Sequence, residues 1–319
     1  MNCLTVRLLI SVFSAALLAS GCGLTMEKIP SGAVPDKSEK DHMITLDGVN
    51  YHYTEYPALG QDIVMIHGYA ASTYTWEECA GILQKQGYHV WALDMKGFGW
   101  SGKPRDADYS PLVLGEEVYA WMKALKLKNV AMVGNSLGGG IAWAMAIVHP
   151  EMISRLVLID AAGYKIKKPF IIELSNAPLA EETMNLFFGK WLVKALLCQV
   201  FYDDSKVTGE RINAYYLRQC TENALYAQIQ VGRKLDFALF ETLLRRVPEI
   251  TKKTLIIWGR DDNWIPLESA AMFRRDIKNS SIAVIPECGH IPMEEQPEIT
   301  ASLILDFMRN KPVDKKYVP

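Results

Sequence analysis

Between residues 43 and 311 short apolar runs alternate with longer amphipathic ones, a rhythm that few folds accommodate. Strands are predicted at 43–46, 50–55, DIVMIHG (62–68), YHVWALD (88–94), NVAMVGN (129–135), RLVLID (155–160), TLIIWG (254–259) and SIAVIP (281–286). Helices are predicted near 74–86, 111–126, 137–148, 267–276 and 296–309. Strands this continuously apolar need cover on both faces, which helices between parallel strands supply. Ligand chemistry on such sheets gathers at the carboxyl ends of the strands. The rhythm stops between Ala161 and about Val247, which reads as an insertion. There Met184, Phe187, Phe188, Trp191 and Leu192 fall at helical spacing. They predict one broad apolar stripe packed between insertion and main body, with substrate lining as the alternative for some of them.

The stretch VGNSLGGGIAW, residues 133–143, places Ser136 between Gly134 and Gly138, after a strand run and before a helical run. A G-x-S-x-G in that setting is the pattern of a strained strand-to-helix turn that projects a serine hydroxyl. The following helix N-terminus offers unpaired backbone N–H groups to a developing oxyanion. A serine hydroxyl needs a base to become a nucleophile, and the base needs an orienting acid. TLIIWGRDDNWIP presents Asp262 after a strand, and IPECGHIPMEEQP presents His290 after the last one. Serine, aspartate, histidine is the chain order of α/β-hydrolases, unlike the other two common orders.

DIVMIHGYAAS, LDMKGFGWSGKP, VGNSLGG, LVLIDAAG, LIIWGRDDNWIP and CGHIPMEEQP together resemble the recurring segments of the α/β-hydrolase superfamily, in its order, across about 43–311. The resemblance implies an α/β fold: a mostly parallel eight-stranded sheet flanked by helices, with core segments 43–161 and 248–311 and a helical cap, 162–247, inserted after strand six. It also implies that the backbone N–H groups of Tyr69 and Leu137 form the oxyanion hole. His67 is then a loop-shaping residue, with the base in place of His290 as its alternative role, Asp160 matches a site where some members keep their acid, and Asp261 is the local alternative to Asp262. Asp94 is expected to fix the KGFGWSG loop, and Glu294 and Glu295 to cap or orient the last helix. Haloalkane dehalogenases and epoxide hydrolases resemble this chain but carry aspartate at the elbow, so Ser136 argues for acyl transfer. The resulting expectation is a carboxylic ester hydrolase of the esterase or lipase kind, acting on a small-molecule acyl substrate. Hydrolases of carbon–carbon bonds in ring-cleavage products share the same residues, and cofactor-free haloperoxidase-like members would need the same triad. A noncatalytic surface binding protein on this fold would be expected to have a degenerate triad.

The N-terminus MNCLTVRLLISVFSAALLASGC has one early charge, Arg7, an apolar run and then small residues, as a signal peptide (1–21) has. Its ending LASGC resembles a bacterial lipobox, which implies export and lipidation of Cys22, with 22–42 as a polar tether to the membrane and a plain secreted protein or a retained anchor as the alternatives. An oxidising compartment permits a bridge, for which Cys198 and Cys220 are the candidate pair. A net charge of -2 carries no sign of nucleic acid. No Cys/His/Asp set has metal-ligand spacing and no G-x-G-x-x-G follows a strand, so neither metal nor dinucleotide cofactor is expected.

Overall fold

The structure, a computed structural model, describes residues 28–35, 37–235 and 237–318. The expected signal peptide and Cys22 lie outside the described residues. Eight strands form one sheet: β1 (Asp41–Leu46), β2 (Val49–Tyr56), β3 (Asp62–Ile66), β4 (His89–Leu93), β5 (Val130–Asn135), β6 (Ile153–Ile159), β7 (Lys253–Gly259) and β8 (Ser280–Ile285). Their order is β1-β2-β4-β3-β5-β6-β7-β8. The β1–β2 and β2–β4 pairs are antiparallel, and every other pair is parallel. The helices are α1 (Glu77–Lys85), α2 (Pro111–Ala124), α3 (Leu137–Val148), α4 (Phe170–Glu173), α5 (Ala180–Phe187), α6 (Lys190–Val200), α7 (Gly209–Gln219), α8 (Ala224–Lys234), α9 (Phe237–Leu244), α10 (Glu268–Asp276), α11 (Pro292–Glu295) and α12 (Pro297–Met308).

The continuous apolar runs resolve into two cores, because successive strand side chains point to opposite faces. Val64 and Ile66 of β3 join Trp121 of α2, Trp143 of α3 and Phe273 of α10 on one face. Ile63 and Met65 join Leu83 of α1 and Ile304 of α12 on the other. All six β5 residues are buried, at the middle of the sheet, where the strand gives way to the turn at Ser136. Helices α4–α9 lie between β6 and β7 and form the cap.

Three expectations need correction. The apolar stripe is not one helix: α5 ends at Phe187 and α6 begins at Lys190. Glycine is a poor helix former, and at the break before Gly189 the Phe188 ring turns to stack on Tyr216, with centroids 5.4 Å apart. Cys198 and Cys220 are not bridged but free. Cys198 lies in α6 with Asp204 beside it, whereas Cys220 ends α7 and its carbonyl accepts from the Ile29 N–H at 3.1 Å. Thirdly, the described part of the polar N-terminal segment is not a free tether. Ile29 pairs with Thr221, the Ser31 hydroxyl accepts from the Lys103 N–H at 2.9 Å, and β1 already begins at Asp41. Such long-range pairing leaves no local periodicity to read.

A trio of His52, Asp94 and the half-buried Asp41 ties this edge of the sheet together. His52 Nδ1 lies 2.7 Å from Asp94 Oδ2, and its Nε2 lies 2.9 Å from Asp41 Oδ1. Asp94 also accepts from the Thr73 N–H at 2.6 Å and the Trp100 N–H at 2.8 Å, which fixes the loop after β4. Burial opposes a charge on His52, but the Asp94 and Asp41 carboxylates prevail and raise its pKa above 6.5. Asp41 falls from 3.8 to about 2: desolvation resists the shift, and the hydrogen bonds from His52 and Ser38 overcome it. A raised histidine stabilises fully below its unfolded pKa and loses that contribution as pH rises through the folded value. The lowered aspartate contributes above 3.8 and loses its share as pH falls towards 2. The trio therefore favours mildly acidic conditions. Tm is expected to fall as pH is raised from 6 to 9, and to fall less steeply in His52→Gln; parallel curves for the two proteins would refute this role for His52.

Candidate active site

Backbone geometry at Ser136 comes first. Its φ of 53° and ψ of -118° lie in a region that residues with a side chain rarely adopt, at a cost of about 1–3 kcal/mol. The turn is held from both sides: the Ser136 N–H donates to Ile159 O at 3.0 Å, and its carbonyl accepts from the N–H groups of Gly140 at 3.0 Å and Ala162 at 2.9 Å. A Cβ at position 134 would meet the Gly138 carbonyl oxygen at 2.2 Å, and one at position 138 would meet the Ile66 carbonyl oxygen at 2.2 Å. Both contacts are with backbone, so only glycine fits either side of the serine.

Each remaining candidate also follows the carboxyl end of a strand. After β7, the Asp262 side chain is fully buried; its Oδ1 accepts from the N–H groups of Trp264 at 2.7 Å and Ile265 at 3.0 Å. Its Oδ2 lies 2.7 Å from His290 Nδ1, after β8. That bond leaves Nε2 as the free ring nitrogen, buried and without a hydrogen-bond partner among the described residues. Ser136 and His290 line the same cavity of about 110 Å³, with Trp264 tilted over the His290 ring at 5.5 Å. After β3, the loop through Gly68 runs so close that a Cβ at Gly68 would sit 3.0 Å from Ser136 Cβ. Among the described residues the Tyr69 and Leu137 N–H groups have no acceptor, and Leu137 opens α3, where amides lack intrahelical partners.

The alternatives fall to geometry. His67 has both ring nitrogens engaged, Nδ1 with Gly68 O at 2.7 Å and Nε2 accepting from the Met95 N–H at 3.1 Å, and burial lowers its pKa. Asp262, not Asp261, meets the histidine. Asp160 sits at the end of β6 with a φ of 44°, and its Oδ1 accepts from the Gly259 N–H at 2.9 Å. One of its carboxyl oxygens lies within 4.8 Å of an Asp262 carboxylate oxygen and of a His290 ring nitrogen. Burial, and then the charge of Asp262, hold its pKa well above the usual carboxylate range.

Glu294 and Glu295 do not serve the last helix. Glu294 accepts from the Thr75 hydroxyl at 2.6 Å, from Arg211 Nε at 2.8 Å and from the Tyr215 hydroxyl. Glu295 accepts from the N–H groups of Gly289 at 2.6 Å, Tyr202 at 2.8 Å and Asp203 at 2.7 Å. These two carboxylates fasten the cap to the loop that carries His290. Sequence reasoning missed this role, although a Glu–Glu pair so soon after the histidine was a signal that both side chains are needed there. Removing one partner of a buried ion pair leaves the other charge uncompensated, so Arg211→Met is expected to cost about 3 kcal/mol. That should appear as a Tm fall of roughly 5–10 °C in a chain this size. An unchanged melting curve would show that the pair does not hold the cap.

Residues 63–193 match the family described as alpha/beta hydrolase fold. Over 291 residues the chain is 31% identical to 2-hydroxy-6-oxo-6-(2'-aminophenyl)hexa-2,4-dienoic acid hydrolase of Metapseudomonas resinovorans, a match that spans 87% of this chain and 95% of the relative. The chain belongs to the α/β-hydrolase family. Among solved structures of the family, the meta-cleavage product hydrolase of Pseudomonas fluorescens IP01 is similar at 26% identity and a TM-score of 0.74, covering 84% of this chain and 97% of that one. A membrane phospholipase A described as a bacterial virulence factor is 29% identical with a TM-score of 0.69, and covers 96% of this chain and 97% of its own. Among the described residues, no helix of this α/β-hydrolase is long and apolar enough to cross a membrane.

Proposed function

We propose that the protein is a serine hydrolase that cleaves carboxylic esters with apolar acyl chains. His290 Nε2 takes the Ser136 proton as the hydroxyl attacks the ester carbonyl, and Asp262 holds the ring and stabilises the imidazolium. The N–H groups of Tyr69 and Leu137 receive the oxyanion. The protonated His290 then donates to the departing alkoxide, and water attacks the acyl-enzyme by the same steps in reverse. The likeness to the membrane phospholipase over nearly the whole chain supports a membrane-associated enzyme, and the LASGC ending supports export with the lipid on Cys22.

The observation that carries the ester reading is the cavity wall. Beside Ser136 and His290 it is built mostly from apolar side chains, among them Ile171, Met184, Phe188, Leu192 and Leu196, with Tyr215, Gln219 and Gln228 as neutral polar members, and among the described residues no lysine or arginine lines it. The cap residues Met184, Phe188 and Leu192 thus take the substrate-lining alternative. A dienoic acid such as the one named for the Metapseudomonas relative would bring a carboxylate into this wall, and burying an unpaired carboxylate is costly. The second reading, hydrolysis of a carbon–carbon bond, rests on the 31% identity to that relative. A series of p-nitrophenyl esters from acetate to dodecanoate, run beside a 2-hydroxy-6-oxo-dienoate, separates the two. Ester turnover above the Ser136→Ala background is expected. Inert esters with consumption of the dienoate would transfer the triad to the second reading.

A further inference from the structure

The cap wall between the cavity and the outside carries large apolar side chains on both faces. Ile171, Met184, Phe188 and Leu192 point into the cavity, while their chain neighbours Phe170, Leu186 and Trp191, with Leu179 at the start of α5, are each more than half exposed. Large apolar side chains left exposed on one segment are at home against other protein or lipid rather than water. The same segment is rich in lysine: Lys165, Lys167, Lys168, Lys190 and Lys194 stand against Glu173, Glu181 and Glu182, and Glu181 is already paired with Arg105 at 2.8 Å. Exposed large apolar side chains flanked by lysines make a surface that fits an anionic bilayer.

A second observation fixes which side of the molecule the N-terminal chain approaches. The Ile29 N–H donates to Cys220 O at 3.1 Å and its carbonyl accepts from the Glu222 N–H at 2.8 Å, so the N-terminal segment joins the fold at the cap. One turn before Cys220 stands Tyr216, on whose ring Phe188 stacks. Two residues beyond Thr221, Asn223 Oδ1 accepts from Arg105 Nη1 at 3.3 Å, and the same nitrogen donates to Glu181 Oε1 of α5 at 3.0 Å. Ile29 is seven residues after Cys22, a reach of at most about 25 Å.

We propose that the outer face of the cap, Phe170, Leu179, Leu186 and Trp191 with the surrounding lysines, docks on an anionic lipid bilayer, so that the cavity receives its ester from the membrane. The docking stands on the surface and on where the chain joins it. Only the statement about what enters the cavity rests on the ester reading.

The test uses the full chain with two separate readouts. Tryptophan fluorescence is recorded with vesicles of brominated phosphatidylglycerol and of brominated phosphatidylcholine, for wild type and Trp191→Phe. Quenching that wild type shows on phosphatidylglycerol and Trp191→Phe lacks is expected, weakened on phosphatidylcholine and in high salt. The second readout compares hydrolysis of a long-chain ester embedded in phosphatidylglycerol vesicles with that of a soluble short ester, for wild type and a Leu186→Ser, Trp191→Ser double variant. The variant is expected to lose about tenfold or more on the embedded ester and to keep its rate on the soluble one. Quenching indifferent to Trp191, or a rate on the embedded ester unaffected by the double variant, would overturn the docking and leave this face to another partner. Trp191-dependent quenching by a protein that hydrolyses no ester would support the docking and refute the ester reading alone.

Discussion

Ser136→Ala is expected to lower kcat for a soluble ester by about 10⁶-fold, the loss seen when a serine hydrolase is deprived of its nucleophile, with KM changed by no more than about threefold. The amides of Tyr69 and Leu137 and the cavity survive the substitution, so a residue of catalysis by binding and oxyanion stabilisation should remain. The backbone adds a second arm to this experiment. Alanine keeps a Cβ at a φ of 53°, whereas glycine adopts that conformation at no steric cost. Ser136→Gly should therefore be as inactive as Ser136→Ala, yet melt higher by an amount corresponding to about 1 kcal/mol. Equal melting temperatures would mean that the turn is unstrained. Retention of more than about a thousandth of the ester rate in both variants would remove Ser136 from the mechanism.

The second large effect separates two carboxyl groups that lie side by side. Asp262→Asn is expected to cost about 10⁴-fold in kcat, because an amide cannot stabilise the imidazolium and favours the wrong tautomer of His290. Asp160→Asn is expected to stay within about threefold of wild type, since burial and the neighbouring Asp262 favour the uncharged form of this carboxyl, which asparagine matches in shape and donor–acceptor pattern. The asparagine carbonyl can keep the 2.9 Å bond from the Gly259 N–H, and its NH₂ faces the Asp262 carboxylate as the acid's hydroxyl does. Rates measured on the same ester at pH 7.5 decide the matter. Should Asp160→Asn collapse while Asp262→Asn survives, the acid would belong to β6 rather than β7.

How much of this was written in the sequence depends on the range of the interaction. The central strands were legible because each is a run of side chains buried on both faces, and Ser136, Asp262 and His290 because each follows an apolar strand in a turn with its own residue chemistry. The apolar positions of the cap were equally visible, but their arrangement was not. One glycine split the expected stripe, and only folding decided that Phe188 and Leu192 face the cavity while Trp191 faces outward. The least legible features join distant residues. Ile29 meets Cys220, His52 meets Asp94, and Arg211 meets Glu294, pairings that impose no period on the chain between them. The expected bridge between Cys198 and Cys220 failed for a related reason, since sharing an insertion says nothing about which helix ends approach each other.

The fastening by Glu294 and Glu295 has an evolutionary corollary. In many modular enzymes the part that chooses the substrate can be traded without disturbing the part that performs the reaction. Here the carboxylates four and five positions beyond His290 grip Arg211, Tyr202 and Asp203, so selectivity and proton transfer share one short stretch of backbone. A foreign cap grafted between β6 and β7 would inherit a histidine loop whose anchors no longer match. Divergence in this lineage should therefore proceed by repainting the inner wall of the cap at positions such as Met184 and Leu192, or by moving the whole loop and cap as one inheritable unit.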